Sequence, residues 1–239
     1  MTAPSATTTA VVTGAGQGFG LALTAALAER GVTVVACARD AERLQAAVAA
    51  LPHAGRVIAV PADVTDPAGR AAVLGAAARV GGLDLLVHNA GELGPSPLPA
   101  LERYPLDALR AVLETTVLAP LALTQAAMLM LRSAPAPAVV TLSSDAAVEA
   151  YPGWGGYGAA KAALDHLAAV LGVEHQDTMR VYAFDPGDMR TAMHQRAFPG
   201  EDISDRPEPE TVVPALLRLL DERPPSGRFR AADLAVGAS

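Results

Sequence analysis

The chain is poor in lysine, cysteine and aromatic residues, and each scarcity excludes something. Of its 18 basic residues only Lys161 is a lysine; the rest are arginines. There is no basic run, the net charge is −7 and the pI is near 5.2, so nucleic acid is not an expected partner. The single cysteine, Cys37, excludes an internal disulfide and reads as a small buried hydrophobe in an apolar run. No zinc-type Cys/His spacing occurs, so no metal site is expected. Aromatics make up 4% of residues, so the core must be built from Ala, Val and Leu. Met1–Thr9 has neither a basic n-region nor an apolar h-region, and the expectation is a cytoplasmic protein without a signal peptide. The most apolar stretch, Val117–Leu131, is broken by Pro120, Thr124 and Gln125 and is short for a membrane span. It reads as a buried or subunit-interface helix.

What is present is a regular alternation. Apolar runs at Ala10–Val12, Val32–Ala36, Arg56–Val60, Leu83–His88, Ala138–Leu142, Arg180–Phe184 and Phe229–Leu234 read as strands. Helix-period segments lie between them at Leu21–Glu29, Asp40–Leu51, Pro67–Arg79, Leu106–Leu131, Tyr157–Gly172 and Val212–Leu220. Nearly continuous apolar strands separated by helices predict an α/β fold, a doubly wound parallel sheet of about seven strands. One domain spanning 1–239 is expected, with an irregular, lid-like segment over about 192–210 that is rich in Pro, Gly and acids.

Thr13-Gly14-Ala15-Gly16-Gln17-Gly18-Phe19-Gly20 follows the first strand and opens the first helix. Glycines there allow a tight turn and close backbone approach, and the helix N-terminus offers free N–H groups to a pyrophosphate. Farther along, Tyr157 and Lys161 are four residues apart and share a helix face. A cation beside a phenol favours its ionisation and brings its acid–base chemistry nearer neutral pH. Either motif alone is weak; Lys161 by itself reads as a surface lysine.

Together the motifs resemble the short-chain dehydrogenase/reductase family over about Thr8–Thr191. The glycines read as G-x-x-x-G-x-G through Gly14, Gly18 and Gly20. Asn89-Ala90-Gly91 ends the fourth strand, Ser144 stands thirteen residues before Tyr157, and Pro186-Gly187-x-x-x-Thr191 follows the sixth strand. The resemblance implies hydride transfer between a nicotinamide and a carbonyl or alcohol carbon of a small molecule. Tyr157 would be the general acid/base, Lys161 would tune it and hold the nicotinamide ribose, and Ser144 would orient the substrate oxygen. Ser143 is the neighbouring alternative, turned away by strand alternation. Thr116 falls where the family has a water-holding Asn, one hydroxyl in place of an amide. His88 replaces a frequent Asn and reads as a packed strand-end residue.

Cofactor contacts are expected from Gly14, Gly16, Gln17, Gly18, Phe19 and Gly20. Asp63, Val64, Asn89, Ala90 and Gly91 would follow, then Pro186, Gly187, Met189 and Thr191. After the second strand, Ala38 occupies the position of the family's discriminating acid, and Arg39 is next. A guanidinium matches phosphate geometry, so NADP(H) is preferred over NAD(H). Asp40, one register away, is the residue that would bind an unphosphorylated ribose.

The substrate pocket is expected from Glu92–Tyr104, Asp145–Trp154 and the lid, with Tyr151, Trp154 and Met193 as candidate apolar walls. The family implies a homo-oligomer, dimer or tetramer, with the 106–131 helix and the Tyr157 helix as candidate pairing surfaces. The leading reading is a ketoreductase. The competing one is a non-catalytic dinucleotide-binding regulator or scaffold on the same fold, supported by Thr116 and opposed by Ser144, Tyr157 and Lys161.

Overall fold

The computed structural model describes residues 9–235. The polar segment read as lacking a signal peptide lies outside the described residues, except for Thr9. So does Thr8, where the family resemblance begins.

Seven parallel strands form one sheet in the order β3-β2-β1-β4-β5-β6-β7. They are β1 (Thr9–Thr13), β2 (Thr33–Ala38), β3 (Val57–Pro61), β4 (Leu85–His88), β5 (Ala138–Leu142), β6 (Arg180–Asp185) and β7 (Gly227–Arg230). Parallel neighbours need crossovers, and the helices supply them. They are α1 (Gly18–Glu29), α2 (Ala41–Ala49), α3 (Pro67–Arg79), α4 (Leu106–Leu113), α5 (Ala119–Ser133), α6 (Gly155–Glu174), α7 (Ala192–Ala197), α8 (Pro209–Glu222) and α9 (Ala231–Ala235).

Strand alternation sorts the core into two layers. Ala10 and Val12 of β1 pack with Leu23 and Leu27 of α1 and Leu216 and Leu219 of α8. Val11, between them, packs on the other face with Val73 of α3 and Leu123, Ala127 and Leu131 of α5. A fully buried leucine contributes about 1.5–3 kcal/mol, and Leu23, Leu44, Leu123 and Leu131 are each 0% exposed. The run 106–133 is long and apolar enough to cross a membrane by length and composition. Its α5 part instead packs Leu123, Ala127 and Leu131 against the sheet as a core helix.

Three sequence expectations change. Phe229–Leu234 is not one strand: β7 ends at Arg230 and the chain turns into α9. The segment 192–209 is not wholly irregular, because Thr191 caps a short helix, α7, by accepting from His194 N at 3.1 Å. The long helix after β4 is broken by one π turn at Glu114–Leu118. Such turns recur at functional sites, and this one carries Thr115 and Thr116.

The strand order reverses between β1 and β4, and the crevice lies at their C-terminal ends. Thr13 ties that point together. Its Oγ1 accepts from Asn89 N (3.1 Å) and Ala90 N (3.0 Å) and donates to Val87 O (3.2 Å).

Candidate active site

The crevice holds a cleft of about 310 Å³ running from the end of β2 to the first turns of α6. Its phosphate end is the glycine turn. Gly14 has φ +67°, and a Cβ there would lie 2.8 Å from Asn89 Nδ2 and 2.9 Å from Ala90 Cα. At Gly20 a Cβ would meet the same amide at 2.4 Å. Asn89 Nδ2 uses that closeness to donate to Thr13 O (2.9 Å) and Gly14 O (3.0 Å), fixing the turn against β4. The N-cap of α1, Gln17, makes no side-chain cap, and no acid sits in the first turn. The helix start therefore keeps free N–H groups and its positive dipole end for an anion. This backbone cradle, which side chains would fill, fits a dinucleotide pyrophosphate.

At the outer end, Ala38 and Arg39 line the cleft together with Asp40 and Arg43. Asp40 is committed to α2: it caps the helix by accepting from Arg43 N (3.0 Å) and pairs with Arg43 Nη2 at 3.3 Å. Arg43 Nη1 also donates to Gln17 Oε1 (3.1 Å). Arg39 reaches Glu92 Oε2 at 3.6 Å. Arg43 was not picked out from the sequence. The available signal was its place one helical turn beyond Arg39.

Asp63 and Val64 lie on the wall between these ends. Asp63 Oδ1 accepts from Thr65 N (2.9 Å) and Thr65 Oγ1 (2.8 Å), so it shapes its own turn as well. Cys37 lies on the wall too, its thiol pushed up to about 12 by burial and then by Asp63. Such a thiol keeps its proton and is unreactive.

At the inner end, Tyr157 and Lys161 face the cleft from α6. Lys161 is 4% exposed, with Nζ donating to Leu142 O at 2.5 Å and standing 5.5 Å from the Tyr157 ring centroid. Burial lowers its ammonium to about 8, while Asp165 and Asp185 pull the other way. Burial also dominates the Tyr157 phenol and pushes it above its ordinary value. A hydrogen bond with Ser144 works against that shift, and Asp145, Asp185 and Asp165 add to it. The phenol thus holds its proton firmly here, opposite to the lowering expected from the lysine.

Ser144 lies two residues beyond β5 in extended conformation and caps the short turn that follows. Its Oγ donates to Asp145 Oδ1 (2.9 Å) and accepts from Ala146 N (3.2 Å). Ser143, the neighbouring alternative, lines the cleft where Ser144 does not, and its hydroxyl donates to Asp165 Oδ2 at 2.6 Å. Thr116 is fully buried behind the wall, and its Oγ1 accepts from Glu92 N at a long 3.5 Å. Its neighbour Thr115, not singled out from the sequence, faces the cleft. Of the sequence-derived residues, Gly14, Gly16, Gln17, Gly18, Phe19, Asn89, Ala90, Gly91, Pro186, Met189 and Thr191 all line the cleft. Gly20, Thr116, Ser144 and Gly187 stand outside that wall.

His88 packs as a strand-end residue. It is 2% exposed, its Nε2 lies 2.7 Å from Thr124 Oγ1, and burial lowers it to about 3.

Two substrate-side segments meet through α7. Ser96 Oγ donates to Arg196 O (2.6 Å), and Arg196 Nη2 donates to Gly94 O (3.1 Å) and pairs with Glu92 (3.3 Å). Trp154 lies edge-on to Tyr157 at 5.6 Å and tilted against Phe198 at 5.8 Å, an apolar wall beside the phenol. Met193 lines the cleft. Tyr151 is not such a wall: it is 40% exposed, and its hydroxyl reaches Glu149 Oε2 (2.8 Å) and Asp145 Oδ2 (3.1 Å).

Comparison with known families decides the class of this site. The family model described as short chain dehydrogenase matches residues 8–202. The chain belongs to that family. It is accordingly an NAD(P)-dependent oxidoreductase of CH–OH and C=O groups. The oxidoreductase YciK of Escherichia coli K12 is 32% identical over 222 residues, covering 89% of this chain and 85% of the relative. The 1-deoxy-11-beta-hydroxypentalenate dehydrogenase of Streptomyces exfoliatus is 37% identical over 194 residues, 79% of this chain and 70% of the relative. Among solved structures, a short-chain dehydrogenase of Shigella flexneri complexed with NADP superposes with TM-score 0.83 at 28% identity, covering 97% of this chain and 100% of that one. One from Escherichia coli CFT073 complexed with NADPH gives TM-score 0.84 at 29% identity, covering 94% and 96%.

Proposed function

We propose that this family member is an NADP(H)-dependent ketoreductase with Tyr157 as its general acid. The observation that carries the reading is one cleft with Tyr157 and Lys161 at its inner end and Arg39 and Arg43 at its outer end. Two guanidinium groups suit a 2′-phosphate, while the acid that could bind a bare ribose, Asp40, is engaged as a helix cap. The relatives solved with NADP and NADPH support the same choice.

When bound, the cofactor supplies the hydride. The glycine turn and α1 would hold its pyrophosphate, and Asp63 and Val64 its adenine. Asn89, Ala90, Gly91, Pro186, Gly187, Met189 and Thr191 would flank its nicotinamide half. The chain's own residues handle the proton. A phenol that burial keeps protonated is a donor, which suits carbonyl reduction. Tyr157 would donate to the substrate oxygen while Ser144 Oγ holds that oxygen. Lys161, charged below about pH 8, would stabilise the phenolate left behind. Thr116 would hold by its hydroxyl the water that an amide holds elsewhere in the family. Trp154 and Phe198 would exclude solvent from the reacting carbon. Leu118, Leu121 and Leu129 near and on α5, and Val170 and Val173 on α6, are exposed apolar side chains that a second copy of the chain would cover in a homodimer. A cytoplasmic setting suits this chemistry.

The test is a panel of ketones and aldehydes with NADPH and NADH, using the wild type, Tyr157→Phe and Arg39→Ala. Tyr157→Phe is expected to lose about 100-fold or more in kcat. Arg39→Ala should lose about tenfold in its preference for NADPH in kcat/KM. Cofactor binding without any Tyr157-dependent turnover across the panel would favour the regulator instead. An unchanged cofactor preference would sink the phosphate assignment.

A further inference from the structure

Four charged groups meet behind the reacting phenol, and one of them comes from the last strand. Arg228 of β7 pairs with two carboxylates: its Nε lies 3.1 Å from Asp165 Oδ2 on α6, and its Nη2 lies 2.8 Å from Asp185 Oδ2 on β6. The same guanidinium donates to Ser144 O (3.0 Å) and Ser143 Oγ (3.3 Å) at the end of β5. Three elements that carry the site are thus tied to one side chain. The carboxylates are shielded, at 13% and 5% exposure, so the pairing acts in a low-dielectric setting.

Lys161 is the fourth charge. Asp165 follows it by four residues and shares its helix face. Asp165 Oδ1 is buried with no partner, so this carboxylate has unused capacity next to the ammonium. The other groups near Lys161 are Tyr157 on its own helix and Asp185 on β6, while Asp145, in the turn after β5, acts on the Tyr157 phenol. Tyr104 is buried against Gly156 at the start of α6. The charges of the neighbouring α4 and π turn, Asp107, Arg110 and Glu114, are exposed.

We propose that Arg228 is a positioning residue: it holds Asp165 and Asp185 away from Lys161, so that the ammonium is left to the phenol and the ribose. The idea rests on the ketoreductase reading for its purpose but not for its test. Two cations and two carboxylates balance. Without the guanidinium, both carboxylates would turn their field on Lys161, which would bind its proton more tightly. Without the Asp165 charge, Lys161 would bind its proton less tightly. These opposite signs are worked from charge alone.

The sequence offers a direct readout, because Lys161 is the only lysine. Protein grown with 13Cε-labelled lysine gives one side-chain resonance, whose pH titration reports Lys161 in the full-length chain with no turnover needed. The wild-type midpoint is expected near 8. Arg228→Met should increase the proton affinity of Lys161 about tenfold, and Asp165→Asn should decrease it by a similar factor. Loosening of the fold would also raise the midpoint by admitting water, but it cannot lower it, so the Asp165→Asn arm separates charge balance from damage. A midpoint that does not rise in Arg228→Met, or does not fall in Asp165→Asn, overturns the proposal. Failure of the ketoreductase reading would appear separately, as loss of the Tyr157 dependence in the turnover assay.

Discussion

Gly14→Ala perturbs the proposed cofactor cradle and the switch point of the sheet at once. The residue sits at φ +67°, where an alanine costs about 1–2 kcal/mol in backbone strain. The new methyl would also stand 2.8 Å from Asn89 Nδ2 and 2.9 Å from Ala90 Cα, inside contact distance. One of these atoms is backbone at the end of β4, so relief requires moving the strand end or the turn. Either movement stretches the Asn89 donations to Thr13 O and Gly14 O, each worth about 1 kcal/mol. The sum is roughly 3–4 kcal/mol. Gly31→Ala supplies the control. Gly31 has φ +88° but nothing within 4 Å of its would-be Cβ, so only the backbone cost of about 1–2 kcal/mol applies. Urea unfolding of both variants reads the difference, and NADPH fluorescence reads the cradle. Gly14→Ala should bind NADPH more weakly, and Gly31→Ala should bind as the wild type does. Equal stability losses, or equal NADPH affinity, would refute the claim that close approach of Asn89 to the turn is what requires glycine.

His88 gives a pH dependence with a definite sign. Its folded proton affinity is depressed, from 6.5 to about 3, so the unfolded chain binds more protons between those values. The stabilisation from burying neutral His88 is present above about pH 6.5 and is lost as pH falls toward 3. Between pH 7 and pH 5 the loss from this residue is about 2 kcal/mol. His88→Asn should flatten that part of the urea-derived stability curve, and an unchanged slope would count against a buried neutral imidazole. The exposed apolar side chains of α5 and α6 predict a dimer at micromolar concentration, and Leu129→Glu with Val173→Glu should convert it to monomer in sedimentation. A wild type that sediments as a monomer would remove the pairing proposal.

Much of this protein was legible in the chain itself. Alternation of apolar runs with helix-period segments fixed the class of fold, because a strand buried on both faces must be apolar throughout. Most of the glycine turn, Asn89-Ala90-Gly91, Tyr157, Lys161 and Pro186 were picked out from the chain by residue type and spacing, and the fold gathers them into one cleft, while Ser144 and Gly187 stand outside its wall. Helix details were less readable. The π turn at Glu114–Leu118 changes no residue type, and α7 hid in a Pro- and Gly-containing stretch that only the Thr191 cap organises.

The tertiary structure alone decided what the side chains do to one another. Arg43 joins Arg39 because Asp40 caps α2, and Thr115 rather than Thr116 reaches the cleft at the π turn, where the helix is locally widened and underwound. The sequence placed a cation near a phenol and so predicted an easily ionised tyrosine. Burial reversed that sign, since removing a phenolate from water is costly and the carboxylates of Asp145, Asp185 and Asp165 add to that cost. Arg228 shows the limit most plainly. It is one arginine among many in the chain, 67 residues beyond Lys161. Only the pairing of β6 with β7 brings it behind the lysine, because Coulomb interactions depend on distance in space rather than along the chain.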